Sequence, residues 1–274
     1  MMPDNWKKIG AYAICPAAYP HENTDILKSD VKKLLKNCDK KILLARWTSD
    51  FDYGKETKFW YCIKDDELDI SKLKAKRRYE ITKGNRNFYT KVIEPGRYIN
   101  QIYDCYLESL KGYDNVCPKS KNQFVNYWLW NNQFNLRVFA VFDRNNKLCG
   151  YSRVFIKGKY IPISSFKTVP SREKDGVNFA LVYGIIKYFE NDIKNGAYLC
   201  DGARNTLHET NFQDFLIKYF GFRKAYCTLH IVYRNWVGIA VKILFPFRKI
   251  MKFSFLKNVR ALLIQEAWRL GKEK

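Results

Sequence analysis

Residues 177–191, VNFALVYGIIKYFEN, are apolar almost all round the helix that their length and spacing predict. Such a helix has no face to offer water and must be buried, and its neighbours supply the sheet to bury it. Upstream, LRVFAVFD (136–143), LCGYSRVFI (148–156) and KYIPISSFKTV (159–169) read as strands. The turn Arg144-Asn145-Asn146-Lys147 joins the first two into a hairpin. The loop Pro170 to Gly176 leads into the apolar helix. Downstream, AYLCD (197–201) leads through a turn at 202–205 to a helix that opens at Thr210, with Gln213 in the capping-box position. That helix carries Phe212, Phe215, Leu216, Tyr219 and Phe220 on its apolar face, stops at Gly221, and is followed by the strand AYCTLHIVYR (225–234).

Nearer the N-terminus, 41–47 and 58–63 read as strands. A basic amphipathic helix is predicted over 70–87 with Ser71 as its cap, then a strand over 88–93. Pro95 and Gly96 open a helix at 97–111, and a helix at 120–131 carries the aromatic residues Phe124, Tyr127, Trp128 and Trp130. The predicted fold class is α/β (α+β): a mixed sheet flanked by helices, with a C-terminal helical tail. Three segments are expected: 1–87, a core over 88–234, and the tail 235–274.

Lys and Arg total 49 against 27 Asp and Glu, a net charge of +22. The composition, 47% apolar and 16% aromatic, excludes a disordered basic tail, so the charge rides on a folded body and predicts an anionic contact. Residues 72–97 hold nine basic and two acidic residues, and 236–274 hold nine and two, so 14 of the 22 excess charges fall in these two segments. The tail reads either as a basic amphipathic segment on an anionic membrane surface or as a helix pair packed on the body. The eight cysteines include no C-x-x-C pair and there are three histidines, so no metal site is expected and the thiols read as reduced and mostly buried. With no signal-like run and no stretch of eighteen apolar residues, the expectation is a cytoplasmic protein, with the tail as a contact to the inner membrane face.

From residue 88 onward the order strand, helix, helix, three strands, helix, strand, helix, strand resembles the GNAT acyltransferase superfamily. Phe215 to Lys224, FLIKYFGFRK, is similar to that superfamily's last helix and its terminal Gly-Phe. Leu73 to Lys83, LKAKRRYEITK, resembles the R-x-x-I-x-K helix of the FemABX-like branch through Arg78, Ile81 and Lys83. Those proteins join two GNAT-like halves, and residues 1–87 then read as an abridged first half. The resemblance implies an amine attacking a thioester or an aminoacyl ester. It implies acetyl-CoA or another acyl-CoA as co-substrate, its pyrophosphate held by Arg172, Lys174, Gly176, Asn178 and Asn211 around the helix N-termini. This loop has one glycine where the family's R/Q-x-x-G-x-G/A has more, and some FemABX-like proteins take aminoacyl-tRNA instead.

The superfamily's usual acid, a tyrosine four residues before the Gly-Phe glycine, is replaced by Ile217. Asp201, at the end of a buried strand, is the leading catalytic candidate, as proton acceptor or as a site for a cationic substrate; its alternative is a turn-forming Asp-Gly. His208 in a polar loop and Tyr219 are further catalytic candidates, each set against a plain loop or core reading; His230 reads as structural. Arg77, Arg78 and Lys83 are candidates for a phosphorylated acceptor or an RNA backbone, or form a solvated helix face. Trp128 and Trp130 read as core rather than as stacking platforms. Three functions follow: acyl transfer from acyl-CoA to an amino group on a cell-envelope or polysaccharide precursor; aminoacyl-tRNA-dependent transfer to a peptidoglycan precursor; or a non-catalytic polyanion- or membrane-binding module. The sequence leaves the oligomeric state open.

Overall fold

The computed structural model describes residues 2–22, 24–111, 117–130, 135–206, 211–250 and 256–272. In chain order the first elements are β1 (Trp6–Ile9), β2 (Ala13–Pro16), α1 (Lys28–Asn37), β3 (Leu44–Ser49), β4 (Phe59–Lys64), α2 (Ala75–Asn87), β5 (Phe88–Ile93), α3 (Pro95–Leu110) and α4 (Lys121–Trp130). There follow β6 (Leu136–Asp143), β7 (Leu148–Phe155), β8 (Tyr160–Thr168), α5 (Val177–Tyr188), α6 (Glu190–Lys194), β9 (Tyr198–Ala203), α7 (Phe212–Phe220), β10 (Arg223–Tyr233), α8 (Asn235–Leu244) and α9 (Lys257–Arg269). The chain divides into two compact units, one of residues 1–62, 203–211 and 224–274, the other of 63–202 and 212–223.

The first unit orders its strands β1-β2-β3-β10-β4, with β2 and β3 parallel and β3 and β10 antiparallel. Helix α1 buries Val31 and Leu35 against Ile14, Ala45 and Trp47. Helix α9 lays Ile264 and Trp268 on Phe59, Cys227, Leu229 and Ile231. Helix α8 turns Val237 and Val241 onto Leu263 of α9. The tail is therefore a helix pair whose inner faces belong to this unit's core.

The second unit orders its strands β9-β8-β7-β6-β5, antiparallel except for β8 with β9. Helix α5 is buried as its composition requires, at Val177, Ala180, Leu181, Val182, Ile185 and Ile186. Removing each Val, Leu or Ile there from water is worth roughly 1.5–3 kcal/mol. Gly184 sets how closely α5 approaches the sheet: a Cβ there would lie 2.4 Å from Cβ of Thr90 in β5. The Thr90 hydroxyl donates to the Ala180 carbonyl at 2.9 Å. The other face is covered by α3 and α4, whose Ile102, Cys105, Phe124 and Trp128 meet Val138, Ala140, Phe142 and Tyr151. Trp128 is core, as expected; the Trp130 side chain lies outside the described residues.

Local capping moves several boundaries. The helix predicted from residue 70 begins at Ala75, because Asp69 accepts the Ser71 amide at 2.9 Å and winds a short 3-10 turn at Ile70–Lys72 that Leu73 leaves in extended form. Ser71 therefore does not cap α2. The loop 170–175 is likewise a 3-10 turn, closed by Gly176 in the left-handed region at φ +96°. The apolar helix ends at Tyr188, and α6 restarts at Glu190. Gly202 and Ala203, read from sequence as a turn, extend β9.

Candidate active site

Strands β8 and β9 pair at Tyr160–Tyr198, Ile161–Leu199 and Pro162–Cys200. Past these residues β8 runs on to Thr168 against β7, and β9 to Ala203, so the two part at their carboxyl ends. Ligands of α/β sheets collect at such openings. Asp201 is the first β9 residue beyond the last pair, at the point along the strand where the pairing ends. Burial pushes this carboxyl up to about 7, against a smaller opposing effect of a hydrogen bond from the Gln213 side chain. The Gln213 amide of α7 also donates to the Asp201 backbone carbonyl at 3.4 Å. A carboxyl that titrates near neutrality can take a proton from an incoming nucleophile and return it to a leaving group.

The loop expected to hold an acyl-CoA pyrophosphate is put to other use. Gly176 and Val177 are buried. A Cβ at Gly84 of α2 would sit 2.6 Å from the Gly176 oxygen, and one at Gly176 only 2.7 Å from Cα of Gly84. The glycine that would admit a phosphate admits a second backbone instead. The Lys83 ammonium donates to the Lys174 carbonyl at 2.6 Å and the Asn87 amide to the Asp175 carbonyl at 2.9 Å, clamping α2 over the turn. Arg172 points inward, pairing with Asp143 and Asp175 at 3.5 Å each and lying over the Phe88 ring. Asn178 accepts the Thr168 hydroxyl at 2.6 Å. Of the five expected cofactor residues, Lys174 and Asn211 are exposed. These residues do not fit a pyrophosphate cradle.

Tyr219 packs edge-on to Phe179 at 5.0 Å and against Phe215, on a different face of α7 from Gln213. His208 lies outside the described residues, as does Thr210. On α2, Arg78 donates to the Ser71 carbonyl at 3.1 Å and is exposed, Arg77 is half-buried, and Lys83 is the clamp just described. His230 stacks on Trp47 and bonds Ser49 at 2.8 Å, and burial holds its imidazole below the usual range. Cys105, Cys200 and Cys227 are buried and their thiols are pushed up to about 12, which disfavours the reactive thiolate. Among the described residues no group of His, Cys, Asp and Glu is arranged to hold a metal ion.

Two cations escaped the sequence reading. Arg153 of β7 is 1% exposed, donates to the Tyr127 hydroxyl at 2.8 Å and lies over the Tyr127, Trp128 and Phe155 rings. Its Nε and one Nη have no hydrogen-bond partner. Lys167 of β8, opposite Tyr151, shares that face, and burial lowers its affinity for a proton. Neither carries a signal in sequence, since a lone Arg in an apolar strand reads equally well as an edge residue.

No family model and no curated protein matches the sequence. Solved structures do resemble it. L-PGS from Bacillus licheniformis superposes with a TM-score of 0.55 at 12% identity, over 93% of this chain and 86% of that one. A conserved protein of unknown function from Bacteroides thetaiotaomicron gives 0.54 at 15% identity, over 80% and 78%. The C-terminal domain of a putative lysylphosphatidylglycerol synthetase from Agrobacterium fabrum gives 0.47 at 10%, over 73% and 65%. GNAT acetyltransferases match parts of the chain at 0.31. At these identities the likeness is one of fold. The expected mixed sheet flanked by helices is the fold observed; the FemABX branch is not distinguished.

Proposed function

We propose that this protein is an acyl-type transferase that moves an aminoacyl group from aminoacyl-tRNA to an amino group on a cell-envelope precursor. The observation that carries the reaction class is Asp201 at the parting of β8 and β9, with a carboxyl that titrates near 7. The choice of donor is supported by the α5 loop, where α2 fills the space that acyl-CoA would need. Aminoacyl-tRNA requires no such cradle, and the phosphodiester chain of its RNA suits the exposed Arg78 and its basic neighbours on α2.

In this reading the acceptor ammonium gives a proton to the Asp201 carboxylate, and the free amine attacks the ester carbonyl. The C–N bond forms and the ester C–O bond breaks; the second proton that nitrogen loses on becoming an amide goes to solvent, and the one held by Asp201 passes to the departing ribose oxygen, leaving an amide and uncharged tRNA. Holding both partners in the slot supplies the orientation that solution lacks.

The test is transfer of radiolabelled amino acids from a charged tRNA mixture to envelope precursors bearing free amines. Ribonuclease-sensitive transfer that falls at least a hundredfold in Asp201→Asn is the expected result. Saturable thermal stabilisation by acetyl-CoA below millimolar concentration, with acetyl transfer to amines, would sink the donor assignment and restore acyl-CoA.

A further inference from the structure

Helix α8 buries Val237 and Val241 and leaves its other side bare. Trp236, Ile239, Ile243, Phe247 and Ile250 follow one another at spacings of three and four residues, and each is between 53% and 70% exposed. The stripe continues from α8 through the 3-10 turn Phe245–Phe247. A soluble surface rarely exposes five large apolar side chains within fifteen consecutive residues. The same stretch, 235–250, contains no acidic residue, and exposed Lys242 and Lys249 flank the stripe.

A second observation lies at the head of the stripe. A cleft of about 360 Å³ is lined by Lys32, Lys36 and Lys40 together with Arg234 and Trp236. The three lysines are exposed. Arg234 instead spends its guanidinium on the carbonyls of Ile42, Cys38 and Asp39, which fixes the wall of the cleft. A cationic cleft beside an apolar row is complementary to one kind of surface, in which phosphate groups stand directly above hydrocarbon.

We infer that α8 docks this protein on an anionic phospholipid bilayer, with the Trp236–Ile250 row entering the acyl boundary and the lysine cleft taking lipid phosphates. No helix among the described residues is long and apolar enough to cross a membrane, so the contact lies in the interface. The inference does not depend on the proposed reaction. Tail residues beyond 256 contribute little to it, because Leu263, Ile264, Ala267 and Trp268 are buried.

Flotation of the full chain with vesicles tests it, comparing equal parts phosphatidylglycerol and phosphatidylcholine with phosphatidylcholine alone. Binding to the anionic vesicles, weakened by salt and at least tenfold stronger than to the neutral ones, is expected. Ile239→Ser with Ile243→Ser, both at exposed positions, should lower the partition coefficient at least tenfold. Replacing Lys32, Lys36 and Lys40 by Gln should lower it by roughly tenfold to a hundredfold, and only on anionic vesicles. Equal binding to both vesicle types, or binding indifferent to both variants, would overturn the inference. So would absence of vesicle binding together with a dimer in light scattering that Ile239→Ser and Ile243→Ser dissolve, which would make the row a seam between two copies.

Discussion

Replacing Asp201 by Asn asks whether the protein carries a carboxyl that burial holds protonated into the neutral range. The shift from the usual 3.8 to about 7 amounts to a preference of about 4 kcal/mol for the protonated form. Its sign in folding follows directly. Below 3.8 the folded and unfolded chains both hold the proton, and the contribution to stability is fully present. As pH rises from there, the unfolded chain releases a proton that the folded chain keeps, so stability falls by about 1.4 kcal/mol per pH unit until the folded group itself ionises. Asn is neutral throughout and loses nothing. Urea unfolding of both proteins at about pH 5 and about pH 8.5 should therefore show the variant gaining about 2–3 kcal/mol on the parent between the two conditions. Comparing the two proteins at each pH cancels other titrating groups such as His230. A gain below about 0.5 kcal/mol would place the Asp201 carboxyl in the ordinary range and remove it as a base at neutral pH.

Two further outcomes follow from the packing around the slot. Gly84→Ala should destabilise the fold by about 2–4 kcal/mol in chemical denaturation, because its Cβ would lie 2.6 Å from a backbone oxygen that cannot yield; tolerance of Ala there would mean that α2 does not close the loop. Arg153→Met should leave stability unchanged or raise it by about 1–3 kcal/mol, since a buried guanidinium with unpaired N–H groups is lost. Transfer activity falling in that more stable protein would mark Arg153 as a contact for an anionic group of the substrate, while unchanged activity would leave it a packing residue.

Much of the fold was legible in period and punctuation. The strand β5 occupies the residues that alternation assigned it and β6 those of an apolar run, and α5 is buried because it is apolar almost all round. Asp201 was legible as a position, an acidic residue at the end of a buried strand. Its chemistry was not, because a pKa depends on which atoms replace water around the carboxyl, and burial is decided by tertiary packing. The cofactor loop shows the same limit. Gly176 announces a left-handed backbone or a close approach, but sequence does not say what approaches; the structure answers with Gly84 of α2. Arg172 and Asn178 had suitable chemistry for a phosphate, yet Asp143 and Thr168 engage them.

By itself, then, the sequence determined the α/β layering, the buried central helix, the place of the acidic candidate and the two basic segments, because these follow from local periodicity, turn residues and charge counting. Only the tertiary structure decided what each of these faces. It opened β8 from β9, closed the α5 loop with α2, drew the C-terminal helices into a core with residues 1–62, and selected which side of α8 stays bare. The physical reason is common to all four. Burial and close contact are properties of pairs of segments distant in the chain, and no window along the chain contains both partners.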